Sequence, residues 1–283
     1  MSEQFVLTLS CPDRRGIVAA VAGFLSEALC NIIDSAQFGN AETQRFFMRV
    51  SFADEAARGL TGLRRAFAGV AARFGMEWGI HDCAAKLPLL IMASRAGHCL
   101  NDLLFRVSIG ALPVTVVAIV SNHQDMAGLA ATHGVPFHHV PVGPGNKPEA
   151  EARLRAIHQD SGAAGIVLAR YMQVLSGEFC AAMPGRIINI HHSFLPSFKG
   201  ARPYHQAHAR GVKLIGATAH YVTTDLDEGP IIEQEVARVD HGMSADTLAA
   251  LGRDLETLVL ARAVKWHAEN RVLMDGSKTV VFR

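Results

Sequence analysis

The sequence predicts an α/β protein in two parts: a βαββαβ unit over residues 1–84 and a Rossmann-like, mostly parallel sheet over residues 85–283. Three observations lead to this prediction. In the first part, strand-like runs flank segments whose apolar residues recur at helical spacing. In the second part, continuous apolar runs alternate with helical segments, as expected for strands covered on both faces by crossover helices. The pattern changes near Lys86, so we place the domain boundary there.

The first part contains six predicted elements. FVLTLS (5–10) is a predicted strand, and CPDRRG (11–16) is a loop that leads into a helix from Ile17. Two strands joined by a turn near Ala41 follow, and then a helix marked by Leu60, Leu63, Phe67, Val70 and Phe74. MEWGIHD (76–82) is the last strand. This order is the ferredoxin-like arrangement.

The second part begins with LPLLIMAS, a run typical of a buried parallel strand. A helix from about His98 comes next, and VTVVAIVS, FHHVPV, GIVLARY, RIINIH and KLIGATAHYVTT are further predicted strands. The helix that starts at PEAEARLRAIHQD has Pro148 near its beginning, where proline is favoured. The tail from Ser244 is predicted to be helical, with Ser244 as N-cap and Asp246 in the first turn.

Composition excludes several classes of protein. The 27 basic and 26 acidic residues leave a net charge of +1, which argues against binding to nucleic acid or a membrane surface through bulk charge. The N-terminus carries no secretory signal, and every apolar run is far shorter than the roughly 18 residues of a membrane span. The cysteines are odd in number and lack CxxC spacing, so we expect reduced thiols in a cytoplasmic protein: Cys11, Cys30, Cys83, Cys99 and Cys180.

One polar pair interrupts a buried strand. In INIHHSFLPSFKGARPYHQA (188–207), Asn189 and His191 are two residues apart, so both side chains face the same side of the strand. Parallel sheets place ligands at the carboxyl ends of their strands. An amide and an imidazole there could stabilise an oxyanion, and the imidazole could also carry a proton.

A carboxylate is needed to orient the histidine, and HYVTTDLDEGPIIEQ (220–234) offers three candidates on one loop: Asp225, Asp227 and Glu228. The residue pattern alone leaves the choice open. Four histidines cluster along the preceding stretch, at His191, His192, His205 and His208, but their spacing matches no zinc motif. We therefore expect no metal.

The two stretches NIHHSFLPSFKGARPYHQA and HYVTTDLDEGPI together resemble the folate-dependent formyltransferases. That family carries Asn-x-His followed by Ser-x-x-Pro, and later Leu-Asp-x-Gly-Pro. The resemblance implies a formyltransferase fold and a catalytic trio of Asn189, His191 and Asp227, and it favours Asp227 over Asp225. ARYMQVLS (169–176) resembles the segment that holds the pterin ring. The implied folate-binding residues are Tyr171, Met172, Gln173, Val174, Leu175 and Tyr221.

Other features resemble one branch of that family, the formyltetrahydrofolate deformylases. SRAGHCLNDLL (94–104) stands where the transferases have a Gly-rich phosphate loop, and NIHH replaces their NIHP. The implied activity is hydrolysis of 10-formyltetrahydrofolate to formate and tetrahydrofolate without a cofactor, which would supply formate for purine synthesis and balance one-carbon folate pools. The alternatives are formyl transfer to an amine and a non-enzymatic folate-binding regulator.

The first part resembles an ACT regulatory domain, through CPDRRGIVA and the βαββαβ order. The resemblance implies a homo-oligomer, dimer or tetramer. It also implies an amino-acid effector such as glycine or methionine, bound near Asp13, Arg14, Gly16 and Asn31.

Two further expectations concern the long polar loop. Strand alternation predicts that His192 faces the other side of the strand end from His191. It could hydrogen-bond the loop or help to seat water, and a structural role is favoured. Lys199, Arg202 and His205 could meet the glutamate tail of a folate or stabilise the loop, and they are left out of the catalytic set.

Overall fold

The structure is a computed structural model, and it describes residues 2–143, 145–195 and 203–283. The chain divides into two compact units, Met1–Lys86 together with Glu269–Arg283, and Leu87–Ala268. The last fifteen residues therefore belong with the first unit, although the sequence analysis placed them in the second domain. No helix in these ranges is both long enough and apolar enough to cross a bilayer.

The first unit contains a four-stranded antiparallel sheet in the order β2-β3-β1-β4. This arrangement confirms the predicted ferredoxin-like order. Phe5, Leu7 and Leu9 of β1 alternate towards the core, where they meet the apolar faces of the two helices. The elements are β1 (Glu3–Pro12), α1 (Ile17–Glu27), β2 (Cys30–Asn40), β3 (Arg45–Asp54), α2 (Gly59–Phe74) and β4 (Glu77–Asp82).

A hairpin that the sequence analysis missed completes this unit. Its strands are β12 (Val272–Asp275) and β13 (Lys278–Val281). The buried Asp275 carboxylate accepts hydrogen bonds from Asn40 Nδ2 at 2.6 Å and from Thr43 Oγ1 at 3.4 Å, which ties the hairpin to the β2–β3 turn. Four-residue strands after a long helix carry too little periodicity to be found from sequence.

The second unit contains a seven-stranded sheet in the order β11-β10-β9-β8-β5-β6-β7. The strands from β9 to β7 are parallel, and β10 is antiparallel to both of its neighbours. The predicted mostly parallel sheet is confirmed. The elements are β5 (Leu87–Ala93), α3 (His98–Ser108), β6 (Val114–Ser121), α4 (Ala127–Thr132), β7 (Phe137–His139), α5 (Lys147–Asp160), β8 (Gly165–Leu168), α6 (Gly177–Ala181), β9 (Ile187–His191), α7 (Pro203–Arg210), β10 (Leu214–Tyr221), β11 (Ile231–Arg238) and α8 (Ala245–Ala268).

The helix α8 begins where the sequence predicts. Ser244 Oγ accepts a hydrogen bond from the backbone N–H of Thr247 at 3.1 Å, and Asp246 lies in the first turn. The helix packs across β9, β10 and β11. Its inner face therefore supports the strands that carry the polar pair Asn189 and His191.

Candidate active site

The antiparallel pairing of β9 with β10 places four polar side chains on one face. Asn189 lies opposite His220, and His191 lies opposite Thr218. The Asn189 Nδ2 atom is 3.2 Å from His220 Nε2, and His220 Nδ1 is 2.9 Å from the carbonyl oxygen of Tyr221. A carbonyl can only accept, so Nδ1 of His220 carries a proton and Nε2 of the neutral ring accepts from the amide. His220 thereby fixes the orientation of Asn189.

The loop between β10 and β11 brings Asp227 to the same place. Asp227 Oδ1 is 3.2 Å from His191 Nδ1 and 3.7 Å from His220 Nε2. The backbone of Asp227 has φ +56°, a left-handed conformation that a non-glycine residue rarely adopts. Of the three acidic candidates on the loop, Asp227 is the one whose carboxylate forms an ion pair with His191 in the described parts of the chain.

Gly229 explains how the loop turns so tightly. A Cβ atom at this position would lie 1.7 Å from the carbonyl oxygen of Tyr221. The adjacent Pro230 carbonyl accepts a hydrogen bond from the Tyr221 N–H at 2.9 Å. Only glycine permits this approach, so the Gly-Pro pair determines where Asp227 lies.

The charge of Asp227 is strongly stabilised. Its hydrogen bond with the His191 imidazole, more than the nearby His220, holds the pKa of the carboxyl well below its usual range and outweighs the effect of burial. Asp227 is therefore ionised at neutral pH and holds Nδ1 of His191 as a donor. The other ring nitrogen, Nε2, is buried and has no hydrogen-bond partner in the described chain. A reacting oxygen could satisfy it.

His192 does not face away from His191, so that expectation is wrong. The strand β9 ends at His191, and the alternation of strand side chains ends with it. The two imidazole rings are stacked, with centroids 5.2 Å apart and planes 22° apart. The outer side of the His192 ring lies near the Tyr204 ring, 6.5 Å between centroids.

A buried ionic cluster lies beside the stacked rings. Glu256 of α8 is 1% exposed. Its carboxylate forms an ion pair with Arg170 (Nε to Oε2, 3.3 Å), lies 2.7 Å from His98 Nε2 and accepts a hydrogen bond from the Tyr204 hydroxyl at 2.8 Å. Burial by itself would raise the pKa of the Glu256 carboxyl, but the hydrogen bond from His98 and the charge of Arg170 outweigh it and lower that pKa. The one carboxylate thus joins α3, α7 and the segment after β8 to α8.

The sequence analysis assigned no role to this cluster or to His220. His98, Arg170 and Glu256 are far apart in the sequence, and no local pattern connects them. A histidine inside the apolar strand LIGATAHY was a usable signal for His220, since buried polar residues need partners.

Three ligand-type groups of this cluster come within 4.8 Å of one another: His98, Cys99 and Glu256. The chemistry does not favour a metal there. Burial raises the pKa of the Cys99 thiol, and the neighbouring Arg170 supplies the positive charge that Glu256 needs. The expected absence of a metal stays a prediction.

The catalytic candidates line a cavity of about 310 Å³. Asn189, His191 and Asp227 all contribute to its wall, together with His192 and His220. All of the predicted folate-binding segment, residues 171–175, lines it as well. The structure therefore brings the predicted trio and the predicted pterin segment to one cavity, and their roles remain proposals.

Tyr221 does not take part in this cavity. It pairs with Ile188 across the strands, so its side chain faces the side of the sheet opposite to His220. Its hydroxyl lies 2.7 Å from His267 Nδ1 on α8, and the ring is 3% exposed. The expectation that Tyr221 contacts folate is corrected by the alternation of β10.

The segment 171–175 is fixed near both ends. The backbone N–H of Met172 donates to Ser94 Oγ at 3.0 Å, and Ser94 donates to Asn122 Oδ1 at 2.7 Å. At the other end, the N–H of Ser176 donates to the buried Glu151 carboxylate at 2.7 Å. The cavity wall is thus held by hydrogen bonds to Ser94, just after β5, and to Glu151 of α5.

The predicted effector residues fall into two groups. Asp13 and Gly16 lie in the β1–α1 loop, where Gly16 has φ +92°. Arg14 lies over the Phe74 ring at 4.6 Å and donates to the carbonyl of Arg73. Asn31 pairs with Ala53 of β3, and Ala53 pairs with Gln4 at the start of β1. Asp13 follows the other end of β1, roughly 30 Å away at about 3.3 Å per residue. Within this unit, Asn31 therefore does not share a site with the other three.

Several sequence expectations fall outside the described residues. Lys199 and Arg202 lie there, as does Pro196 of the Ser-x-x-Pro motif. His205 lies on the exposed side of α7.

The second unit has a mostly parallel sheet, with an amide, an imidazole and a carboxylate gathered at the carboxyl end of β9. The antiparallel βαββαβ unit comes before it in the chain. Together these features define an ACT domain followed by a formyl transferase domain. The Formyl transferase family profile matches residues 87–264, and the ACT domain profile matches residues 3–81. More particularly, the chain belongs to the formyltetrahydrofolate deformylase family.

The similarity extends over whole chains. A formyltetrahydrofolate deformylase from Corynebacterium sp. (strain P-1) is 51% identical over 100% of both chains. The crystal structure of a formyltetrahydrofolate deformylase from Burkholderia mallei is 55% identical, with a TM-score of 0.95 over 99% of this chain and 100% of that one. A glycinamide ribonucleotide transformylase from Symbiobacterium toebii is 30% identical, with a TM-score of 0.66 over 72% of this chain and 97% of that one.

Proposed function

We propose that the chain is a hydrolase that cleaves 10-formyltetrahydrofolate into formate and tetrahydrofolate. The observation that carries the proposal is the 3.2 Å approach of Asp227 Oδ1 to His191 Nδ1, beside Asn189, at the wall of the cavity that residues 171–175 complete. The full-length relatives are named for this activity.

The geometry supports the following roles. Water attacks the formyl carbon, and the pair of Asp227 and His191 takes up the proton that the water loses. The Asn189 amide, and the Nε2–H of His191 once that nitrogen has taken the proton, stabilise the oxyanion of the tetrahedral intermediate. The bond from the formyl carbon to N10 then breaks, the proton passes to N10, and formate and tetrahydrofolate leave. Every atom of the water ends in a product.

The cavity suits a folate. Its wall at residues 171–175 offers backbone groups on a segment that Ser94 and Glu151 hold still. Exposed Met172 and Val174 add apolar surface for the pterin ring. We expect neither an organic cofactor nor a metal ion, and for the metal the check is that dialysis against EDTA leaves turnover unchanged.

The direct test is formate release from 10-formyltetrahydrofolate by the purified protein with no amine added. Asn189→Ala should lower turnover by about 10²–10³ with little change in KM, because the amide acts on the oxyanion rather than on bound substrate. If formate appeared only after an amine acceptor was supplied, the chain would be a transferase. Wild-type turnover in the variant would remove Asn189 from the mechanism.

We also propose that the ACT unit binds an effector and mediates assembly. Asp13, Arg14 and Gly16 remain the candidate residues, with glycine or methionine as the ligand. The edge strand β2 exposes Ile33 (51%) and Phe38 (46%), which supports pairing with a second copy. Turnover titrated with each amino acid, and molar mass from light scattering, test the two parts separately.

We also propose a cellular compartment and a metabolic role for the reaction. Five unpaired cysteines suit a cytoplasmic enzyme, and formate release would supply purine synthesis and adjust the one-carbon folate pool.

A further inference from the structure

His192 is an ionisable side chain of the catalytic cavity to which the mechanism above gives no role. His192 lines the cavity, and its ring is stacked on that of His191. His191 is held by Asp227, whereas the ring nitrogens of His192 make no hydrogen bond with any residue in the described ranges.

The surroundings of His192 favour an uncharged ring. Burial, reinforced by the charges of Arg170 and then His191, lowers the pKa of His192 to about 4, although Glu256 and Asp227 act in the opposite direction. The remaining neighbour is the Tyr204 ring, whose hydroxyl is engaged by Glu256. A neutral imidazole has one lone pair, and a water molecule can donate a hydrogen bond to it.

The stack fixes where such a water would lie. Arg170 is held by Glu256 at 3.3 Å, His192 is packed between His191 and Tyr204, and His191 is held by Asp227 at 3.2 Å. The His192 ring therefore lies directly beside the imidazole that receives the proton. Holding a nucleophile in a fixed position removes much of the entropic cost of its attack.

We propose that His192 is a catalytic residue of the hydrolysis, and that its neutral ring accepts a hydrogen bond from the attacking water. Tyr204, whose ring lies near that of His192 and whose hydroxyl donates to Glu256, acts on it as a positioning residue. His192 takes no proton: the water forms the bond to the formyl carbon, and its proton goes to the His191–Asp227 pair and then to N10. The inference rests on the proposed hydrolysis and adds the residue that selects water as the nucleophile.

The test compares two nucleophiles in two variants. His192→Phe keeps a flat ring for the stack but has no acceptor, and His192→Gln keeps an acceptor. Formate release measures attack by water, and formohydroxamate formation from added hydroxylamine measures attack by an external amine. We expect His192→Phe to lose roughly 10²-fold in formate release, an ordinary magnitude for one positioned catalytic group. Its formohydroxamate rate should fall much less, and His192→Gln should keep formate release within about tenfold of wild type.

The outcomes distinguish failure of the proposed hydrolysis from failure of the proposed role of His192. If the wild type releases no formate, the proposed hydrolysis fails. If the wild type releases formate and His192→Phe releases it equally fast, or loses both reactions in parallel, the water-holding role of His192 is overturned. Thermal unfolding checks that each variant is folded, and His192→Met, which also lacks an imidazole acceptor, replaces the Phe variant if that one does not fold.

Discussion

At the scale of single residues, the chemistry of the site depends on which ring nitrogens of three histidines already have a hydrogen-bond or ion-pair partner. Nδ1 of His191 faces Asp227, and Nδ1 of His220 faces the Tyr221 carbonyl. His192 has no such partner in the described chain. The proposed mechanism gives these three chemically identical rings three different tasks: proton transfer, orientation of Asn189 and contact with water. The hydrogen bond made by one ring nitrogen determines what the other can do.

His220 should act through Asn189 rather than on substrate. His220→Ala removes the acceptor that holds the amide, so we expect turnover to fall roughly 10–100-fold, as is usual for groups that orient a functional side chain. His220→Gln offers an amide oxygen to Asn189 and should recover most of the rate. Steady-state kinetics distinguish the two, since a loss through Asn189 lowers kcat and leaves KM little changed.

A double variant provides the control. If His220 works through Asn189, His220→Ala added to Asn189→Ala should cost little more than Asn189→Ala alone. Two full, multiplied losses would show that His220 has a role independent of the amide.

At the scale of elements, the β10–β11 loop is determined by Gly229. Gly229→Ala would place a Cβ atom 1.7 Å from the Tyr221 carbonyl, so the loop must shift and Asp227 must move with it. We expect lower turnover and a lower unfolding temperature. Gly128→Ala on α4 is the matched control, because no atom lies within 4 Å of its added Cβ. Equal behaviour of the two variants would contradict this account of the loop.

The ion pair of Glu256 on α8 should contribute to the free energy of unfolding. Glu256→Leu leaves Arg170 and His98 without their shared carboxylate, and breaking a buried ion pair from one side costs roughly 3–5 kcal/mol. The control is Glu178→Ala. It removes the exposed Arg155–Glu178 pair at 3.1 Å, which should be worth at most about 1 kcal/mol. Urea unfolding measures both, and a loss below about 1 kcal/mol for Glu256→Leu would count against the cluster.

At the scale of the whole molecule, buried histidines make stability depend on pH. Burial lowers the pKa of His267 to about 4, below the value of about 6.5 in an unfolded chain. The unfolded state therefore binds more protons between these two values. The stabilisation is complete above about pH 6.5 and is lost as the pH falls, by up to about 1.4 kcal/mol per pH unit for one such histidine. The lowered pKa of His192 makes stability fall with pH in the same direction.

Urea unfolding at pH 7, 6 and 5 measures this slope. His267→Gln should flatten it by about one proton, because the substituted residue does not titrate. His241→Gln, at an exposed position, is the matched control. An unchanged slope in His267→Gln would mean that this ring is not the group that gains a proton on unfolding.

Most elements of the fold could be predicted from the chain alone. The βαββαβ order, the long parallel strands and the start of α8 follow from periodicity and capping, which are local properties. The hairpin of β12 and β13 could not, because its stability comes from contacts such as Asn40 with Asp275.

For this protein, the sequence by itself determined the fold class, the Asn189–His191 pair and, through a family motif, the choice of Asp227. The tertiary structure alone decided which side chains meet that trio. His220 reaches Asn189 through an antiparallel pairing, His192 turns back onto His191 because the strand ends, and Glu256 joins residues from distant elements. Local patterns specify elements, whereas the distances and ring orientations that decide chemistry arise only when those elements pack together.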